Sequence, residues 1–156
     1  MRALVWLVQE TWQATVEQAS ALLPGDAEVT LLYVVDVEAQ EVARGARAAL
    51  LGRRPPPGPE TERVLEQSAR ELLEAAAGLI GRSRSLVRRG RPEREVVAAA
   101  AGFDLVCLAR DGDRRRLGPR SLGPAARFVV DHAPCPVLLI WPDRAPPVST
   151  LPPPRH

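Results

Sequence analysis

The stretch Asp104–Trp141 reads DLVCLARDGDRRRLGPRSLGPAARFVVDHAPCPVLLIW, and two apolar runs bracket it. Asp104–Ala109 (DLVCLA) and Val137–Trp141 (VLLIW) are too short for helices and nearly free of charge, so both read as buried strands. Between them a polar loop, Arg110–Ser121, leads into a helical segment from about Leu122 to Asp131. A strand, loop, helix and second strand in that order form a crossover unit between parallel strands.

The same grammar extends toward the N-terminus. Pro92 suits the first position of a helix carrying Val96 and Val97, and Ser85–Arg89 reads as a short strand. Glu60–Ile80 is helical, with Val64, Leu65, Leu72, Leu73, Ala76, Leu79 and Ile80 on one stripe. The preceding Arg53–Pro59 (RRPPPGP) cannot continue a helix and reads as a loop or lid, whereas Val37–Gly52 suits a short helix. Glu28–Val35 (EVTLLYVV) is a strand, set off by Pro24-Gly25-Asp26. Before that turn, Trp12, Val16, Ala19 and Leu23 recur at helical spacing behind Thr11, a candidate N-cap, and Arg2–Val8 (RALVWLV) opens as a strand. Near-continuous apolar strands alternating with helices predict a parallel α/β sheet covered on both faces. Right-handed crossovers leave few topologies for it.

Bulk composition narrows the functional classes. The chain of 156 residues suits one domain, 1–142, followed by a flexible, proline-rich tail, 143–156. Hydrophobic residues at 46% and charged ones at 26% are globular values. All 21 basic residues are arginine, yet the net charge is only +2, so no dedicated nucleic-acid surface is implied. Aromatics are 4% of the chain and none lies in the basic loop to stack bases. No apolar stretch reaches the ~20 residues of a membrane span. Cys107 and Cys135, in or beside apolar runs, suit buried thiols of a reducing compartment, so the expected location is the cytoplasm. With His132 and His156 the only histidines, neither a histidine metal site nor a catalytic triad is expected.

Several segments resemble the universal stress protein family. Gly90–Arg110 (GRPEREVVAAAAGFDLVCLAR) looks like that family's turn, helix and fourth strand, and His132–Ile140 (HAPCPVLLI) like its closing helix end and fifth strand. Leu31–Asp36 (LLYVVD) resembles the second strand, and Ala3–Thr11 (ALVWLVQET) the opening strand and turn. The resemblance implies a five-stranded parallel sheet of order 3-2-1-4-5 with helices on both faces, a Rossmann-like fold of the adenine-nucleotide-hydrolase kind. It also implies a homodimer paired through the fifth strand. Residue chemistry points the same way: at a sheet edge the uncharged run Val137–Trp141 needs a cover, and a second copy supplies one with two-fold symmetry. The tail folding over that edge is the alternative.

ATP-binding members of the family carry a glycine-x2-glycine-x9-glycine-serine/threonine loop after the fourth strand. Counting back from HAPCP places these positions at Arg110, Asp113, Gly123 and Pro124, so only one glycine is kept. Pro124 offers neither a hydroxyl nor an N–H, and Asp113 brings a carboxylate toward phosphate. The acidic residue that meets the adenosine end aligns with Gln9, and an adenine-contacting strand position with Val34, which a core strand also requires. Asp36, ending the second strand, either faces the ligand crevice or caps the next segment.

These substitutions predict no bound cofactor and loss of the usual ATP mode. The expected role is that of a non-catalytic, homodimeric stress-response protein acting through an unknown protein partner. The rival reading is a nucleotide or anion sensor in which Arg114, Arg115 and Arg116 of the loop 110–120 hold the anion as guanidinium forks.

Overall fold

A computed structural model describes residues 1–52 and 59–155. The expected Arg53–Pro59 loop therefore lies, but for Pro59, outside the described residues. The chain runs β1 (Arg2–Leu7), α1 (Trp12–Leu22), β2 (Glu28–Asp36), α2 (Val37–Leu51) and α3 (Pro59–Ile80). It continues with β3 (Ser83–Gly90), α4 (Pro92–Ala100), β4 (Leu105–Ala109), α5 (Pro124–His132) and β5 (Val137–Ile140). Two 3-10 turns, Pro119–Ser121 and Val148–Thr150, lie in the β4–α5 loop and the tail.

The five strands form one sheet of order β3-β2-β1-β4-β5, every pairing parallel, as the resemblance implied. Alternation along β1 divides the core between the two faces. Leu4 and Trp6 join Leu32, Val34, Val106 and Leu108 beneath α4 and α5. Val5 and Leu7 join Leu31 and Cys107 beneath α1 and α3, which contribute Val16, Ala19, Leu72, Leu73 and Ala76. Both faces of each central strand are thus buried, which is why those strands read as unbroken apolar runs.

Three local expectations change. Val64 and Leu79 are 63% and 47% exposed, and the buried stripe of α3 is Ala69, Leu72, Leu73 and Ala76. A helix of 22 residues is about 33 Å long and a strand of eight about 26 Å, so the ends of α3 overhang the sheet it covers. β3 is longer than Ser85–Arg89 because Ser83 and Arg84 pair with Val29 and Thr30, and Gly90 pairs with Asp36; within it Arg89 reaches Glu62 and Glu66 on α3, and Arg88 reaches Glu95. Thr11 precedes α1, but its hydroxyl makes no cap; it is buried and has no hydrogen-bond partner among the described residues.

Candidate functional site

From β1 the chain runs outward through β2 to β3, then returns to the other side of β1 for β4 and β5. The order reverses between β1 and β4, and ligands of open α/β sheets bind at the carboxyl ends of strands at such a point. Three chain exits meet that edge: Gln9–Thr11 after β1, Asp36 at the end of β2, and Arg110 after β4.

The loop from Arg110 to Gly123 is folded on itself. Gly112 N–H donates to Ser121 O at 2.9 Å, and Asp113 N–H to Arg120 O at 2.8 Å. This pairing requires glycine at position 112, since a β-carbon there would lie 2.2 Å from Arg120 O. The closure brings Asp111 to the start of α5, where its Oδ1 accepts from Gly123 N–H at 2.6 Å. A β-carbon on Gly123 would meet that carboxylate at 3.0 Å. Gly123 therefore admits the protein's own carboxylate, at the helix end where an anion is most favoured.

The remaining candidates are separated or engaged. Arg110 stacks 4.5 Å above the Trp141 ring and donates Nη1 to the buried Ser121 hydroxyl at 2.6 Å, so it holds the loop against the strand that precedes the tail. Its Nε has no partner among the described residues. Asp113 turns to Arg115, whose Nε and Nη2 lie at 2.9 and 3.0 Å. Those bonds, then the Arg115 backbone N–H, hold the Asp113 carboxyl at about 2. Arg114 pairs with Asp143 of the tail at 2.8 Å, while Arg116 makes no ion pair or side-chain hydrogen bond among the described residues. Val34 is 7% exposed and belongs to the core beneath α4 and α5.

Two shallow depressions replace one crevice. Gln9 lines the first, of about 310 Å³, with Glu10, Glu17, Arg114 and Asp143. Pro124 lines the second, of about 320 Å³, with Asp36, Glu38, Arg91, Glu93 and Phe128. Asp36 both lines this depression and caps α2, accepting from Ala39 N–H at 3.0 Å. Three carboxylates against one arginine, itself 3.2 Å from Glu38, make poor company for a polyphosphate.

Another depression, of about 640 Å³, opens at the opposite edge of the sheet and is lined by Arg2, Arg82 and Arg84 with Asp26 and Glu28. Arg82 lies just beyond the carbonyl end of α3, where a cation is favoured without any ligand. Burial pushes the Cys107 thiol up to about 12, with Cys135 adding to the shift, and burial first and Asp104 second also raise Cys135. Neither thiol is activated for nucleophilic chemistry. Among the described residues no three His, Cys, Asp or Glu side chains gather as metal ligands would. No described helix is long and apolar enough to cross a membrane.

A sequence profile described as the universal stress protein family matches residues 8–140. The chain belongs to that family. The match takes in the whole β4–α5 loop and ends with β5. Comparison with curated proteins gives no match. Among solved structures, hypothetical protein MJ0577 is 19% identical with a TM-score of 0.67, over 92% of this chain and 97% of that one. Universal stress protein UspA from Lactobacillus plantarum is 22% identical with a TM-score of 0.51, over 90% and 97%. A family protein from Arabidopsis thaliana with AMP bound is 17% identical with a TM-score of 0.56, over 92% and 93%. At these identities the likeness shows the fold.

The sequence pattern missed Asp111. Its partner Gly123 is twelve residues away, and only the pairing of Gly112 and Asp113 with Ser121 and Arg120 brings the two together. The sole signal was an aspartate beside a glycine in a loop that precedes a helix.

Proposed function

We propose that this chain is a non-catalytic, cytoplasmic stress-response member of the family that acts as a homodimer and does not bind ATP tightly. One observation carries the ATP reading: the Asp111 carboxylate sits on the Gly123 N–H, 2.6 Å away, at the N-terminus of α5. An incoming phosphate would have to displace it and then face it. Two unit charges 4 Å apart repel by roughly 1 kcal/mol in water and roughly 4 near a protein surface. Pro124 removes a further donor from the same turn, and Asp36, Glu38 and Glu93 line the space beside it.

The dimer reading rests on the contrast between the two sheet edges. β3 carries Arg84, Arg88 and Arg89, which blunt an edge against further pairing. β5, VLLI, carries no charge. An uncharged edge strand is what self-pairing needs, and two-fold pairing would close it.

Calorimetric titration with ATP and with AMP, the ligand bound in the Arabidopsis relative, tests the ligand reading. No saturable heat is expected with ATP at micromolar concentrations. A micromolar Kd for ATP would overturn it.

A further inference from the structure

We infer that the tail and the arginine loop together form a second anion site, one that accepts a small molecule carrying a phosphoryl group. A pocket of about 600 Å³ lies between them, lined by Arg114 and Arg115 of the loop and by Arg144, Ala145, Pro146 and Pro147 of the tail. Among the described residues its lining holds three guanidinium groups and no carboxylate. The volume suits a small metabolite and is generous for a bare ion.

The tail is attached on both sides of this pocket. On one side Asp143 Oδ2 accepts from Arg114 Nε at 2.8 Å. On the other, Thr150 Oγ1 accepts from Leu117 N–H at 3.0 Å while donating to Pro147 O at 2.8 Å. Residues 144–149 thus cross the loop as a strap, and the prolines at 146 and 147 stiffen it. Behind them, Trp141 lies under Arg110, and its carbonyl accepts from Gln18.

The charges left over favour an anion. Asp143 engages the Nε of Arg114, whose Nη1 donates to Arg110 O at 3.4 Å, and Asp113 engages the Nε and Nη2 of Arg115, so Nη2 of Arg114 and Nη1 of Arg115 retain donors. Arg144 is exposed and has no ion pair or hydrogen bond among the described residues. Arginine guanidiniums lining one shallow depression suit the oxygens of a phosphoryl group, and Pro146 and Pro147 give the rest of the molecule an apolar contact. The carboxylates of Asp113 and Asp143 hold two of the guanidiniums but are not among its described lining residues.

This gives the anion-sensor reading of the loop a definite place. It does not use the α5 N-terminus, so it stands or falls separately from the claim that Asp111 closes that position to ATP.

The test is titration of the full chain with glucose 6-phosphate at low salt, with glucose as the uncharged control. Saturable binding with a Kd of about 1 mM or tighter is expected for the phosphate ester alone. Arg144→Gln should weaken it about tenfold, the worth of one charge-assisted hydrogen bond. Arg82→Gln, the same charge change at the far edge of the sheet, should leave the Kd unchanged. Thr150→Val, which frees the strap from Leu117 without altering charge, should also weaken binding. Absence of saturable binding, equal affinity in Arg144→Gln, or equal losses in Arg144→Gln and Arg82→Gln would each overturn the proposal. A melting curve for Arg144→Gln that matches wild type excludes misfolding as the cause.

Discussion

Replacing Gly112 by alanine probes whether the β4–α5 loop is closed as described. The added β-carbon would lie 2.2 Å from Arg120 O and 2.9 Å from the Ser121 carbonyl carbon, both backbone atoms that cannot swing aside. Relief requires the two sides of the loop to part, which breaks Gly112 N–H to Ser121 O and Asp113 N–H to Arg120 O. At roughly 1 kcal/mol each, the loss is about 2 kcal/mol. For a chain of this size that lowers Tm by about 4–8 °C. The assay is thermal melting by circular dichroism with amide hydrogen exchange at Gly112, Asp113 and Gly123. All three amides should exchange faster, Gly123 because Asp111 is carried away with its strand of the loop. Gly25→Ala is the control, since nothing lies within 4 Å of its added β-carbon. A Gly112→Ala melt superimposable on wild type, with protection intact, would refute the closed loop.

Three further outcomes follow from the same structure. Leu139→Arg on β5 should convert a dimer of twice 16.9 kDa to monomer while leaving the far-ultraviolet spectrum unchanged, and an unchanged mass by light scattering would mean that β5 is not the interface. The Asp113 carboxyl is held at about 2 against an ordinary 3.8, so its favourable contribution is complete above about pH 4 and is lost as pH falls toward 2. The Arg115 Nε–H resonance should follow that titration, and a midpoint near the ordinary value would show that the pair does not form in solution. The Cys107 thiol is held at about 12 against 9.0, so its contribution is complete below about pH 9 and is lost as pH rises toward 12. Cys107→Ala should flatten the alkaline fall in stability, and an undiminished fall would contradict the burial of that thiol.

The strands were legible because a parallel sheet buried on both faces demands unbroken apolar runs, and DLVCLA and VLLIW supply them. Their order came from the resemblance, since periodicity alone does not rank strands. β3 was clipped at Ser83, Arg84 and Gly90, a polar start and a terminal glycine that look like loop, although all three pair with β2. Val64 and Leu79 fit the helical stripe by angle, but how far a helix extends past its sheet is a tertiary fact.

The site was legible by subtraction only. The pattern could be compared position by position at Arg110, Asp113, Pro124 and Gln9, yet what those residues bond to could not be read. Arg110, counted as a replaced glycine position, is held between Ser121 and Trp141. Asp111 was passed over because its role depends on a contact twelve residues away. The tail's attachment through Asp143 and Thr150 is likewise invisible to a reading of composition, which registers only prolines.

The central claim is that Asp111 holds the Gly123 N–H and keeps phosphate from it. The most direct measurement is the Gly123 amide resonance during titration of the full chain with magnesium ATP. The resonance should stay in place as ATP is added to millimolar concentration, and should move in Asp111→Asn without any ATP. A saturable ATP-dependent shift of Gly123, together with the amides of Arg110 and Asp113, would contradict it.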